Sequence, residues 1–163
     1  MTLQSLMNNR RRRESGFTLV ELMVVVMIIG VLMAIAIPTF LNSRKRAQDS
    51  AAKSNVRNAL AAAQAVYSET QSYAGVTTTS LGDEEPSLTF VANTAASTAP
   101  KEISVKVVGT DTVYLASKSD SGKCFALRHS VTSGTTAGTF QAQLSTCTGD
   151  AASAATGVSW AAL

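Results

Sequence analysis

The chain of 163 residues carries 14 Lys and Arg against 11 Asp and Glu, a formal charge of +3, and 45% of it is hydrophobic. The basicity is local: Arg10, Arg11, Arg12 and Arg13 stand together with only Glu14 opposing them, and from Phe17 onward 10 basic residues meet 10 acidic ones. A broad basic working surface is thereby excluded, and one histidine with few clustered carboxylates leaves little material for catalysis.

Residues 1–16 are polar and basic, with no apolar periodicity. Residues 17–41 follow as a nearly unbroken apolar run, interrupted by Thr18, Glu21, Pro38 and Thr39. As a helix this run spans roughly 35 Å, enough to cross a bilayer with some tilt. The basic residues before it favour a cytoplasmic N-terminus, while Arg44, Lys45 and Arg46 beyond its other end partly oppose that orientation. Ala34-Ile35-Ala36 imitates a secretory cleavage site, but the apolar core before it exceeds the usual span of about 7–15 residues. Glu21 is the sharp feature. A carboxylate near the start of a membrane helix costs about 2–3 kcal/mol, so it either snorkels to the headgroups or meets a positive partner.

From Asn42 to Tyr73 the pattern predicts continued helix. Ala52, Val56, Ala59, Leu60, Ala63, Val66 and Tyr67 recur at steps of three and four, with Lys53, Arg57 and Glu69 on other faces. Pro38 is expected to bend this helix, since it removes a backbone hydrogen bond. Asp49 and Glu69 read as surface charges. Residues 74–101 read as a loop rich in small and polar residues, with Asp83, Glu84 and Glu85 as its charge cluster, either solvated or contributing to a calcium site.

Four alternating stretches come next: Ile103 to Val107, Thr112 to Ser117, Phe125 to Val131, and Phe140 to Leu144, predicted as a small antiparallel meander. About thirty per cent of residues 74–163 are Ser or Thr, as a solvated surface would be. If the last two strands pair about a turn near residues 135–136 with Cys124 opposite Cys147, then Val131 faces Phe140 and Leu127 faces Leu144. The cysteines then share the other face at disulfide distance. His129 is expected to be a packed, neutral residue, and Trp160 to anchor the C-terminal tail.

Gly16-Phe17-Thr18-Leu19-Val20-Glu21, preceded by the basic leader and followed by the apolar run to Ile37-Pro38, resembles the class III signal of type IV prepilins and pseudopilins. The resemblance covers roughly residues 10–70 and is most like type IVa major pilins. It implies an α+β lollipop fold, a long N-terminal helix packed on a small antiparallel sheet head. It implies residues 1–16 as a removed leader, 17–41 as the membrane and filament-core helix, 42–73 as its amphipathic continuation and 74–163 as the head. It further implies cleavage by prepilin peptidase between Gly16 and Phe17, N-methylation of Phe17, and Glu21 as the assembly carboxylate that meets a neighbour's new N-terminus. The segment from Gly30 to Pro38 often loses helical order on assembly in that family, and a C-terminal disulfide loop is familiar in its type IVa members.

A structural, non-enzymatic role follows from the resemblance, with no cofactor and no metal. The partners implied are further copies in a helical filament, the peptidase, an inner-membrane assembly platform and the membrane that holds the precursor. The precursor would sit in the cytoplasmic membrane with its head outside the cytosol, then pass to an extracellular filament serving adhesion, twitching motility or DNA uptake. Nucleic acid is a weaker candidate partner: Arg44-Lys45-Arg46 reads either as membrane-flanking anchor or as a DNA patch. The alternatives are a pseudopilin of a type II secretion or competence system and a membrane-anchored binding domain.

Overall fold

A computed structural model describes residues 16–133, 137–155 and 159–163. The arginine cluster, most of the leader and the expected turn near residues 135–136 lie outside the described residues. The chain divides into two compact units, residues 1–41 and residues 42–163.

Helix α1 runs from Leu19 to Thr70 without interruption, including across Gly30 and Pro38. Thr39 Oγ1 donates back to the Ile35 carbonyl at 3.1 Å. The helix stops three residues short of the expected Tyr73, because Gln71 turns left-handed with φ 54° and a short 3-10 turn follows over Tyr73–Gly75. Within residues 42–163, α1 buries Ala52, Val56, Ala59, Leu60, Ala62, Ala63 and Val66. Ala62 apart, these are the three-and-four-spaced positions of the sequence, the stripe that a helix must hide; Tyr67, expected with them, is half-buried.

The stretch expected as loop contains two elements. Helix α2 (Thr78–Glu84) opens on a capping box between Thr77 and Ser80. Strand β1 (Thr89–Val91) pairs in parallel with β2 (Glu102–Val108). The meander continues through β3 (Thr112–Lys118), β4 (Cys124–Ser130) and β5 (Gly138–Leu144), all antiparallel, and closes on a short β6 (Ala161–Ala162). Strand order follows chain order. The fold is α+β with a mostly antiparallel sheet of six strands.

The alternation of the strands serves two cores. Ile103, Val105, Val113, Leu115 and Leu127 join the buried stripe of α1 in the first. The opposite face carries a second, in which Ala116, Cys124, Ala126 and Cys147 pack with Ala152 of α3 (Gly149–Ala154) and with Tyr114, Leu144 and Trp160. Gly149 starts α3 so close to β2 that an added Cβ would lie 2.9 Å from the Lys106 backbone nitrogen; a larger residue there would push the helix off the sheet.

This second core corrects the expected register. Cys124 is paired with Leu144, Leu127 with Gln141 and Arg128 with Phe140, three residues from the expected alignment. An odd shift turns every β5 side chain over. Phe140 and Leu144 therefore share the cysteine face, while Gln141 faces with Leu127. Val131 lies beyond β4 and is exposed. The disulfide itself is present between Cys124 and Cys147, with Cα atoms 5.3 Å apart, but Cys147 reaches Cys124 from the loop after β5 and not from a facing strand. Trp160 packs on the same face, 6.3 Å from the Tyr114 ring and within 5.7 Å of the Arg128 guanidinium.

Polar residues expected at the surface do much of the fastening. Ser97, Ser104, Ser117 and Ser119 are buried. Ser97 Oγ donates to the Glu102 carbonyl and accepts from the Lys118 N–H; Ser104 Oγ donates to the Ala92 carbonyl and accepts from the Gly149 N–H; Ser117 Oγ donates to the Pro100 carbonyl. Asp49 is buried as well, correcting its reading as a surface charge. It accepts from Ser119 Oγ at 2.9 Å, from Ser121 Oγ, and from Lys123 Nζ at 2.7 Å, tying α1 to the β3–β4 loop. Burial alone would raise the Asp49 carboxyl pKa, but these hydrogen bonds and the lysine charge outweigh it and hold the group below its ordinary 3.8. Glu69 is exposed.

His129 follows expectation: half-buried, edge-on to Tyr73 at 6.0 Å, with Nδ1 2.7 Å from Thr139 Oγ1. Burial lowers its pKa. Tyr73 is fully buried, and desolvation with the neighbouring Tyr67 pushes its hydroxyl up to about 12.

Reducing the Cys124–Cys147 bridge should lower the stability of the head by about 3 kcal/mol, read as a fall in its melting temperature in detergent with and without reductant. Because the Asp49 pKa is depressed on folding, its contribution is present above 3.8 and is lost as pH falls through the folded value. Asp49→Asn should cost about 2 kcal/mol at neutral pH and should flatten the fall in melting temperature between about pH 5 and pH 2. Parallel pH profiles for the two chains would remove Asp49 as the source.

Candidate functional site

Gly16 and Phe17 precede the first turn of α1 and are exposed, Phe17 at 87%. Among the described residues, a Cβ built on Gly16 meets nothing within 4 Å. Its missing side chain therefore answers no packing demand of those residues. Gly30, in the middle of the apolar helix, also meets nothing within 4 Å.

The sequence spacing places Glu21 in the first turn, where a carboxylate complements the helix dipole. Its surroundings supply a local role that the sequence reading missed. Glu21 Oε2 accepts from the Thr18 N–H and from Thr18 Oγ1, each at 3.1 Å, while the Glu21 N–H donates to Thr18 Oγ1 at 3.2 Å. This is a capping box, and its signal was present in Thr18-Leu19-Val20-Glu21, a hydroxyl residue followed three positions later by a carboxylate before an apolar run. The box satisfies helix-start donors with one carboxylate oxygen. It leaves the net charge of Glu21 uncompensated.

Beyond Glu21 the helix presents apolar side chains on every side. Eighteen large apolar residues between Phe17 and Leu41 are exposed. At about 1.5 kcal/mol or more for burying each, water is an untenable solvent for this segment, and lipid or copies of the same segment must cover it. By length and composition α1 can cross a membrane.

The remaining candidates stand apart from this segment in the chain. Arg44, Lys45 and Arg46 are exposed on α1. Asp83 and Glu84 end α2, and Glu85 follows as its cap, accepting from Ser87 Oγ at 2.5 Å. The Cys124–Cys147 bridge belongs to the head. Gly16, Phe17 and Glu21 are thus the candidates that stand together, at the start of an apolar helix.

Residues 11–37 match the family described as the prokaryotic N-terminal methylation motif. The chain is 48% identical over 61 residues to the type IV major pilin protein PilA of Myxococcus xanthus, covering 37% of this chain and 28% of that protein. In its N-terminal segment the chain carries this methylation motif and is similar to type IV pilins. The type II secretion system core protein G of Pseudomonas aeruginosa is 43% identical over 58 residues, covering 36% of this chain and 40% of that protein. The type IV wide pilus major component PilA4 of Thermus thermophilus is 43% identical over 49 residues, covering 30% of this chain and 37% of that protein. The chain thus spans well under half the length of these relatives. No solved structure matches.

The capping box separates two properties of Glu21 in this pilin-type helix. Thr18→Ala should remove the cap at a cost of about 1 kcal/mol, seen as roughly fivefold faster amide exchange in the first turn in detergent. Glu21→Gln retains a side chain able to serve a capping box and should leave that exchange slow. Equal acceleration in both variants would contradict this assignment.

Proposed function

We propose that the chain is the precursor of a type IV pilus subunit, a structural protein and not an enzyme, cut between Gly16 and Phe17 and assembled through the apolar part of α1. The observation that carries this reading is a methylation-motif match on a segment whose glycine packs against nothing among the described residues and whose helix cannot remain in water. The peptidase hydrolyses the Gly16–Phe17 amide, and methylation then falls on the freed Phe17 nitrogen. The leader's arginines leave with residues 1–16. What remains is formally neutral.

Cleavage creates an ammonium at Phe17 beside an apolar helix that already carries Glu21. Two opposite unit charges about 4 Å apart attract by about 4 kcal/mol at an effective dielectric of 20. That exceeds the roughly 2–3 kcal/mol a carboxylate costs near a membrane-helix end. The Glu21 of one subunit and the Phe17 ammonium of the next therefore favour association over separate residence in lipid, and they set the axial register of the helices. Gly30 and Pro38 supply the segment where the helix can lose order as copies pack. In the precursor, residues 17–41 span the cytoplasmic membrane with the head outside the cytosol, where a disulfide persists. Residues 42–73 continue the helix into the head, residues 74–163. An inner-membrane platform then extracts the subunit into a surface filament for adhesion, motility or DNA uptake.

A pseudopilin of a secretion machine is the second reading, favoured by the similarity to core protein G. The two differ in where the assembled protein is found. Mass spectrometry of filaments sheared from the cell surface is expected to show a chain beginning at methylated Phe17. Detection of the processed chain only in the cell envelope would favour the secretion machine; a chain keeping residues 1–16 would overturn both. Glu21→Gln should be cleaved normally yet yield roughly a tenth or less of the filament, as loss of a coupling of at least 1.4 kcal/mol requires.

A further inference from the structure

Within residues 42–163 a groove of about 230 Å³ opens between α1 and the β4–β6 side of the sheet. Val56, Phe125 and Leu127 form its apolar lining, Gln141 lies along β5, and Lys53 and Arg57 rim it from α1. The Lys53 Nζ is held 4.8 Å from the centre of the Phe125 ring. The ion pairs among the described residues join Lys106 to Asp150 and Lys123 to Asp49, so the two cations at the groove have no carboxylate partner among those residues.

The opposite edge of the same sheet, at β1, carries the reverse pattern. Helix α2 packs beside β1 and ends in exposed Asp83 and Glu84 with no basic residue in its last turn. Carboxylates at a helix C-terminus oppose the dipole and gain from a cation supplied from outside. Glu85 and exposed Pro86 follow, giving an acidic turn with an apolar tip. Strands β1 and β5 are four steps apart in the sheet, about 19 Å at the usual strand spacing. Among the described residues no ion pair joins Asp83 or Glu84 to Lys53 or Arg57 of the same chain.

We propose that this groove docks the acidic α2–β1 turn, Asp83 to Pro86, of a second copy of this chain. Glu84 and Asp83 meet Arg57 and Lys53, and Pro86 covers part of the apolar lining. The two surfaces are different patches, one at the β1 edge and one at the β4–β6 side of the sheet, so the contact is heterologous; repeated without closure, it extends a polymer. The inference rests on the filament reading and adds to the helix-core assembly a contact between heads. An exposed ion pair contributes little singly, but here it recurs at every subunit and rejects registers that set cation against cation.

The test uses the full chain with Arg57→Cys and Glu84→Cys together. Mild oxidation is expected to give a ladder of three or more linked chains, with either single variant giving dimers at most. Filaments that assemble from the double variant without a ladder would overturn the head contact and leave the filament reading standing. A ladder formed in membranes that never yield filaments would support the contact and overturn the filament reading. Absence of both would overturn both. A charge exchange gives a second measurement: Lys53→Glu with Arg57→Glu should lower filament yield roughly tenfold, matching a coupling of about 1.4 kcal/mol, and adding Asp83→Lys with Glu84→Lys should restore it. A deficit that persists after the exchange counts against the docking.

Discussion

The apolar surface between Phe17 and Leu41 is the constraint from which the rest of this protein follows. It surrounds the helix and is left exposed by the described residues of its own unit. A segment of that kind needs lipid first and then, if it leaves lipid, neighbours of equal hydrophobicity. The one carboxylate within it gives the apolar association a register. Hydrophobic burial is non-directional, and a charge that must find its opposite is not.

The head answers a different physical problem. It is small and rich in Ser and Thr, and it builds two thin cores instead of one thick one. Apolar alternation fills the face toward α1, while alanines, the disulfide and α3 fill the other. Between these layers the buried serines are satisfied one by one by carbonyls and N–H groups of loops. An unpaired polar group there would cost more than a made bond contributes, so these loops are fixed in place although they carry few apolar contacts. Asp49 works in the same way on a larger charge, holding the β3–β4 loop to the helix.

Different residues left different traces in the sequence. The buried stripe of α1 and the four meander strands were legible because periods of 3.6 and 2 are direct consequences of backbone geometry. The short α2 and β1 were not, because seven and three residues are too few to show a period. Their one local sign, Thr77 and Ser80 at capping distance, lay among many other hydroxyl residues. The capping role of Glu21 is legible in its spacing from Thr18. The pairing of Cys124 with Cys147 was right and its register wrong. Two cysteines can approach equally well from a loop, and the outer core that Leu144 enters includes Ala152 of α3, a helix unseen in the sequence.

By itself the sequence determined the order of parts: a basic leader, a glycine before an apolar helix, one acidic residue five positions after it, and a β-rich head with one possible disulfide. These follow from composition and short-range spacing, which act along the chain. The tertiary structure alone decided which face of β5 is inward, that Asp49 and five serines are buried, and that an acidic turn lies at one edge of the sheet and a cationic groove toward the other. Those facts depend on contacts between residues tens of positions apart, and no local period in the chain encodes them.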